Sequence, residues 1–515
     1  MSNTNKNKRL AVNTLLLYFR MIIIMGITLF TSRIILKVLG VEDFGIYSVV
    51  GGVVTMFGII SGALSSAVSR FLNIEMGRNN LCQLQKIFIT AINIHFILGL
   101  IIVILAEIIG IWFLNNKMTI PADRLYAANW VFHCSIITFF MNLISIPYNA
   151  CIIAHENMKV FAYVSILEAG LRLLIVYLLM LFSFDKLILY SILMLSISII
   201  IRSVYQIYCR KNYHECKYHL MIDKKITKQM FSFASWNMIG SSSVILSDQG
   251  VNILLNLFCN PIVNAARGIA MQVNQAINSF SQNFMMAINP QITKSYGAND
   301  LIAFKTLMVN GGRFSFCLLT IISLPVLIDT NYILYLWLGQ IPDYTVNFIR
   351  LVIIYTLSES LSTTFTTGLL ATGKVIKLQL LVGGCRMLNF PISYIVLSHW
   401  NIPDLVYIIA LILSQLNLLI RLYLLKSYIK FSIIEYYTTI VLRQAICVII
   451  PLIAAIFFSH FIKDLNFIIF LIKYIIVTTI SITAIYYIVC KTEERLLIKT
   501  KVQIAYEKFI KSHLW

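Results

Sequence analysis

The sequence predicts an all-α polytopic membrane protein: two pseudo-symmetric six-helix lobes followed by two more C-terminal helices. Three observations predict it. Of 515 residues, 59% are hydrophobic and 12% charged, against about half and about a quarter in soluble domains, and mean hydropathy is +0.84. The apolar residues fall into long runs broken by short charged or Pro/Gly-bearing turns. The two halves of the chain also echo each other at a nearly constant offset. A soluble globule is excluded. Scarce Gly (22) and Pro (9), and 10 Cys spread over the chain, exclude a collagen-like fibre, disorder and a disulfide scaffold.

One crossing takes about 20 apolar residues, so the chain has room for about 14 spans. The runs place helices over 10–38, 44–69, 87–114, 125–150, 160–182, 187–209, 229–258 and 262–289, then over 306–328, 345–372, 375–397, 403–425, 437–460 and 466–490. The first run, Leu10 to Val38, is too long for a signal-peptide core and lacks a small-residue cleavage site, so it reads as a spanning helix. The second carries Gly45, Gly51, Gly52, Gly58 and Gly62. Gly58 and Gly62 make a GxxxG step, read as close helix packing or as the smooth face of a moving helix. The least regular connection is 328–344.

Charge sets the expected orientation. Counted in alternate segments, 27 of the 41 Lys and Arg fall on the side of the N-terminus and 7 on the other, which places both termini in the cytoplasm. The same asymmetry accounts for the net charge of +20 without nucleic acid. The basic loop Arg210–Lys228 and the tail Lys491–Trp515 read as facing anionic lipid head groups.

The repeat shows in short strings. Leu39-Gly40 and Gly77-Arg78-Asn79-Asn80 correspond to Asn260 and Gly297-Ala298-Asn299-Asp300 at an offset of 220. Ala154-His155-Glu156-Asn157-Met158-Lys159 corresponds to Ala371-Thr372-Gly373-Lys374 at an offset of 217. A parallel repeat follows, with lobes over 1–215 and 216–430 and two extra helices with a basic tail over 431–515. Such repeats build transporters around a midplane site.

Charges inside spans are costly and usually face an interior, which makes them the main functional clue. The basic ones are Arg20, Arg172, Arg202, Arg267, Arg313, Arg350 and Arg386; the acidic ones are Glu107, Glu168, Asp248 and Glu359. Arg202, Arg313 and Arg350 read as snorkelling near helix ends, and Glu168 with Arg172 as an i,i+4 ion pair. Arg20 sits about 15 Å into its span and needs an anionic partner, either an acidic side chain or a substrate. Arg267, Asn274, Asn278 and Ser281 form a polar stripe on the eighth helix, with Gln275 and Gln282 alongside. Asn237, Ser241, Asp248, Asn252 and Asn256 form another on the seventh. These stripes read either as a cavity lining or as buried interhelical hydrogen bonding. Thr356 to Thr367, with Glu359, and Ser145–Asn149, around Pro147, are further interior candidates.

The cysteines include no CxxC and read as small packing residues. Cys209, His214, Cys216 and His219 are too irregularly spaced to predict a metal site. Walker A, GxSxG and HExxH motifs are missing, as is any extramembrane segment long enough for a catalytic domain, so no enzyme activity and no cofactor are expected.

The strings Val38-Leu39-Gly40-Val41-Glu42-Asp43-Phe44-Gly45-Ile46-Tyr47 and Ser65-Ser66-Ala67-Val68-Ser69-Arg70-Phe71 resemble bacterial polysaccharide flippases of the O-antigen or capsule type. These belong to the MATE-like multidrug/oligosaccharidyl-lipid/polysaccharide (MOP) exporter superfamily. Ser247-Asp248-Gln249-Gly250, Asn264-Ala265-Ala266-Arg267-Gly268 and Asn289-Pro290-Gln291-Ile292 resemble the same family. The resemblance implies a V-shaped two-lobed bundle in the bacterial inner membrane. It implies alternating-access export of undecaprenyl-pyrophosphate-linked oligosaccharide for lipopolysaccharide or capsule synthesis, alongside a polysaccharide polymerase and glycosyltransferases. Cationic cavity residues bind the head group in that family, a role carried here onto Arg20 and Arg267. Asn274, Asn278 and Asn252 are the polar companions. Asp248 either pairs with Arg267 or couples to an H+ or Na+ gradient, with Glu168 and Glu359 as further coupling candidates. Two other readings compete. A cation-coupled multidrug exporter would favour intramembrane acids, but seven Arg here face four acids. A membrane polymerase would need a larger outer loop than 329–344, which holds no Lys, Arg or His.

Overall fold

The computed structural model describes residues 3–55, 57–116, 120–182, 184–219, 221, 223–259, 261–338, 340–400, 402–426, 428–429, 432–461, 467–496, 499–500 and 503. Asn260 and residues 504–515 of the basic tail lie outside the described residues. So do the side chains of residues 3–11, Arg33, Val41, Glu42, Phe44, Gly45, Gly51, Gly52, Asn256, Asn264 and Ala265. The first expected lobe contains α1 (Asn3–Thr55), α2 (Gly58–Gly77), α3 (Leu81–Asn116), α4 (Leu125–Ala154), α5 (Met158–Leu181) and α6 (Lys186–Asn212). The second contains α7 (Lys224–Phe258), α8 (Pro261–Gly297), α9 (Leu301–Ile328), the short α10 (Thr330–Leu338), α11 (Thr345–Ser360), α12 (Thr363–Thr372), α13 (Val375–Trp400) and α14 (Leu405–Lys426). α15 (Ile433–Phe457) and α16 (Phe467–Val489) follow.

Among the described residues, nine helices are long and apolar enough to cross a membrane, and the chain is a nearly all-helical, multi-pass membrane protein. α7 and α8 fall outside that set although their 35 and 37 residues reach past 50 Å at about 1.5 Å per residue. Their polar stripes lower the mean hydropathy. The first two expected spans meet at Gly40 (φ 82°, ψ 168°), a backbone conformation that suits glycine. The long helix is therefore two helices joined there, and the second predicted span continues through α2.

The chain divides into two compact units. One comprises 1–245, 283–307 and 367–383; the other comprises 246–282, 308–366 and 384–515.

In the first unit the repeat appears as backbone geometry. α2 ends with Asn79 at φ 55°; the Asn79 amide donates to Met76 O and the Asn80 amide to Glu75 O. α8 ends in the same way, with Asn299 at φ 59°, its amide bonded to Tyr296 O and that of Asp300 to Ser295 O. Both are left-handed caps that satisfy the last helix carbonyls. Asn80 Oδ1 then accepts from the Gln83 amide at 3.1 Å, and Asp300 Oδ1 from the Ala303 amide at 3.0 Å. The second string behaves similarly: Glu156 closes α4 at φ 57° where its counterpart Gly373 closes α12 at φ 80°. Glu156 pays out no free side chain there, because Lys294 Nζ donates to it at 2.8 Å and Gln291 Nε2 at 3.2 Å.

The two caps also touch. A Cβ on Gly77 would lie 2.2 Å from Lys294 O, and one on Gly297 would lie 2.4 Å from Ile74 O. Backbone cannot yield as a flexible side chain does. Gly77→Ala and Gly297→Ala are therefore expected to cost about 1–3 kcal/mol through overpacking, read as a lower unfolding temperature in detergent. Gly58→Ala is the control. Among the described residues, a Cβ at Gly58 or Gly62 meets nothing within 4 Å. Equal melting of all three variants would refute the tight crossing.

Arg124, at the start of α4, donates to Asp43 Oδ1 at 2.8 Å and to Asp185 Oδ2 at 2.7 Å. Asp185 also caps α6 through the amides of Leu187 and Ile188, both at 3.1 Å. Burial pushes the Asp185 carboxyl up, but the Ile188 amide and the Arg124 guanidinium outweigh it and hold it below the usual carboxylate range.

Candidate functional site

The second unit gathers most of the predicted residues. Arg267 on α8 is buried at 5% exposure. Its guanidinium donates to the backbone oxygen of Asp248 on α7 at 3.1 Å and lies 5.6 Å from the centre of the Tyr407 ring. The contact between Arg267 and Asp248 is thus to the main chain, not the carboxylate–guanidinium pair that the sequence suggested. The Asp248 side chain is exposed and makes no hydrogen bond or ion pair among the described residues. It stands within electrostatic reach of Arg267 and Arg386.

Glu359 on α11 lies between two guanidinium groups. Arg386 on α13 bonds its carboxylate directly, and Arg421 on α14 approaches to 3.8 Å. Arg421 is 3% exposed and also donates to Ser362 Oγ. Arg386 and Arg421 thus share the single Glu359 carboxylate. On α8, Asn274 Oδ1 accepts from Thr356 Oγ1 at 2.5 Å and from Asn278 Nδ2 at 3.4 Å, and Ser281 bonds Ser315 at 2.6 Å. This part of the stripe is interhelical hydrogen bonding. Asn252 on α7 is exposed.

The first unit holds Arg20 and Glu168. Arg20, half-buried on α1, donates to Asn283 Oδ1 at 3.5 Å and stacks over Phe161 at 4.5 Å, while its Nε is buried without a partner. No carboxylate bonds it among the described residues, and a cation over a ring face is only partly compensated. Glu168 on α5 is exposed and paired with Arg172 at 2.7 Å, the local ion pair expected from its spacing. Asn237, from the α7 stripe, accepts from Gln379 at 3.0 Å.

A family profile described as polysaccharide biosynthesis protein matches residues 10–296. The chain belongs to that family. No curated protein sequence matches it. Among solved structures, the chain is similar to an outward-facing MATE-family transporter of the MOP superfamily: 12% identity and TM-score 0.69, over 81% of this chain and 95% of the other. It is also similar to a Pyrococcus furiosus MOP-superfamily transporter whose binding pocket is described as reversed in polarity: 11% identity and TM-score 0.67, over 81% and 95%. A Vibrio cholerae MATE transporter variant aligns at 14% identity and TM-score 0.67, over 82% and 98%. Profile and fold together bear out the resemblance: this is a polysaccharide-family chain with the MATE-like fold of the MOP superfamily.

For a member of this family, the charges missed in the sequence are as informative as those found. Arg421 and Arg70 look like loop residues by position, yet both lie within helices. Arg70 on α2 donates to Leu370 O at 2.7 Å and Ala371 O at 3.2 Å. Arg313 does not snorkel: it is 4% exposed and paired with Glu494. Lys473 on α16 meets Asp329 at 2.6 Å. Moving these residues from loops to helices leaves the sign of the charge asymmetry unchanged.

Proposed function

We propose that this protein is a flippase that moves undecaprenyl-pyrophosphate-linked oligosaccharide repeat units from the cytoplasmic to the periplasmic leaflet by alternating access. The observation that carries this reading is the buried Arg267 guanidinium, bonded to a carbonyl and to no carboxylate. A planar, permanently charged fork of this kind matches a pyrophosphate. Arg20 offers a second such fork, and the family profile supports a polysaccharide substrate. In this reading 1–215 and 216–430 are the two lobes, and 431–515 supplies two further helices. The protein would sit in the bacterial inner membrane with both termini cytoplasmic, working beside glycosyltransferases and a polymerase.

Asp248 is the candidate for H+ or Na+ coupling, since its carboxylate is exposed, unpaired and close to Arg267. That same carboxylate favours the second reading, a cation-coupled multidrug exporter. One comparison separates the two. A strain lacking the gene is expected to lose surface polysaccharide and to accumulate complete lipid-linked precursor facing the cytoplasm. Unchanged polysaccharide with raised drug sensitivity would establish the exporter; repeat units reaching the outer leaflet unpolymerised would establish a polymerase.

A further inference from the structure

We propose that Cys151, His155, Glu215 and Cys216 form a binding site for a transition-metal cation of the zinc class. The donors come from two segments. Cys151 and His155 stand at i and i+4 at the C-terminal end of α4, a spacing that puts them on one side. Glu215 and Cys216 lie in the single 3-10 turn His214–Cys216 that follows α6. The fold closes these segments onto each other. The Cys151 and Cys216 sulfurs are 3.5 Å apart, Cys151 Sγ lies 3.6 Å from Glu215 Oε1, and His155 Nε2 lies 2.5 Å from the same oxygen. The donor atoms of Cys151, His155 and Glu215 all fall within 4.8 Å of one another. Bonds of about 2.0–2.3 Å to a tetrahedral zinc put ligand atoms about 3–4 Å apart, so most of these spacings need little adjustment.

The chemistry of the set points the same way. Two thiolates, an imidazole and a carboxylate are ligands for zinc rather than for magnesium or calcium. Cys151 and Cys216 are fully buried and Glu215 is 5% exposed, which suits a closed structural site. A buried carboxylate needs a cation or strong donors. The His155 ring is held in place by stacking on Tyr213, centroids 4.0 Å apart and planes within 6°, the kind of support that orients a ligating imidazole. Cys209 is a neighbour whose sulfur points at Tyr148 O, 3.5 Å away. Among the described residues, no other three such side chains converge. His214 and His219, grouped with Cys209 and Cys216 by sequence proximity, are exposed and take no part.

A metal here would pin the turn after α6 to the end of α4. The residue after His155 is Glu156, whose left-handed cap is held by Lys294 and Gln291, so the ion would stiffen that cap as well. Charge asymmetry assigns this end to the cytoplasm, where thiols stay reduced and available as ligands.

The test uses full-length protein purified in detergent without an immobilised-metal step. Elemental mass spectrometry is expected to find about one zinc per chain. After chelation, cobalt titration is expected to raise the sulfur-to-cobalt charge-transfer band of thiolate coordination. Cys151→Ser and Cys216→Ser are expected to lose both signals, whereas Cys82→Ser, at an exposed cysteine, keeps them. No zinc and no charge-transfer band in the wild-type chain would overturn the proposal even if the variants fail to fold. Equal metal in wild type and variants would overturn it too, as would recovery of a Cys151–Cys216 disulfide after thiol blocking at lysis.

Discussion

Replacing Glu359 with Gln is expected to lower folding stability by about 3–5 kcal/mol, the usual cost of removing one partner from a buried ion pair. The reason is what remains. Arg386 and Arg421 would keep their charges inside the second unit with the intervening carboxylate gone, and guanidinium does not neutralise itself by losing a proton. Arg421, at 3% exposure, has little access to water. The measurement is thermal unfolding and folded yield in detergent. Removing Arg421 as well should restore part of the loss, because Arg386 alone is a smaller uncompensated charge. On this expectation Glu359 holds the second unit together through Arg386 and Arg421. If Glu359→Gln melts like the parent and only gradient-driven export is lost, that assignment is reversed.

Arg267→Ala is expected to reduce export about tenfold to a hundredfold while leaving the protein folded, and Arg20→Ala to act in the same direction. A hydrogen bond to a charged group contributes about 1.5–3 kcal/mol. Lost from the bound complex, that range corresponds to one to two powers of ten. Folding should survive because Arg267 is bonded to the Asp248 carbonyl and not to a carboxylate, so no opposite charge is stranded. Arg267→Lys should restore part of the export, since the charge returns but the bidentate fork does not. Arg172→Ala is the contrast: its exposed i,i+4 pair with Glu168 contributes about 0.5 kcal/mol or less, and export should hardly change. Precursor translocation in membrane vesicles, normalised to folded protein, reads all four variants. Full export by both Ala variants would remove the arginines from the substrate site.

Fold class, the helical runs, the internal repeat and the family were legible in the sequence because they rest on local patterns. Long apolar runs report burial in lipid, and a cap string such as Gly77-Arg78-Asn79-Asn80 reports a backbone turn wherever it sits. The i,i+4 pair of Glu168 and Arg172 was readable for the same reason. Partnership between distant residues was not. Arg421 follows an apolar run and looks like a loop charge until α14 buries it beside Glu359, 62 positions earlier in the chain. The contact between Arg267 and Asp248 passes through a carbonyl, which has no sequence signature.

Cys151 and His155 gain their meaning only when the turn after α6 brings Glu215 and Cys216 to them. Gly58 and Gly62 show the converse, a motif whose spacing fits close packing but whose Cβ positions meet no neighbour among the described residues. The sequence by itself determined that the chain is a helical, multi-pass membrane protein and that basic groups outnumber acidic ones within its apolar runs. Only the tertiary structure decided which of those charges neutralise one another and which stand without a carboxylate, because an ion pair forms by distance in space and the chain order does not record that distance.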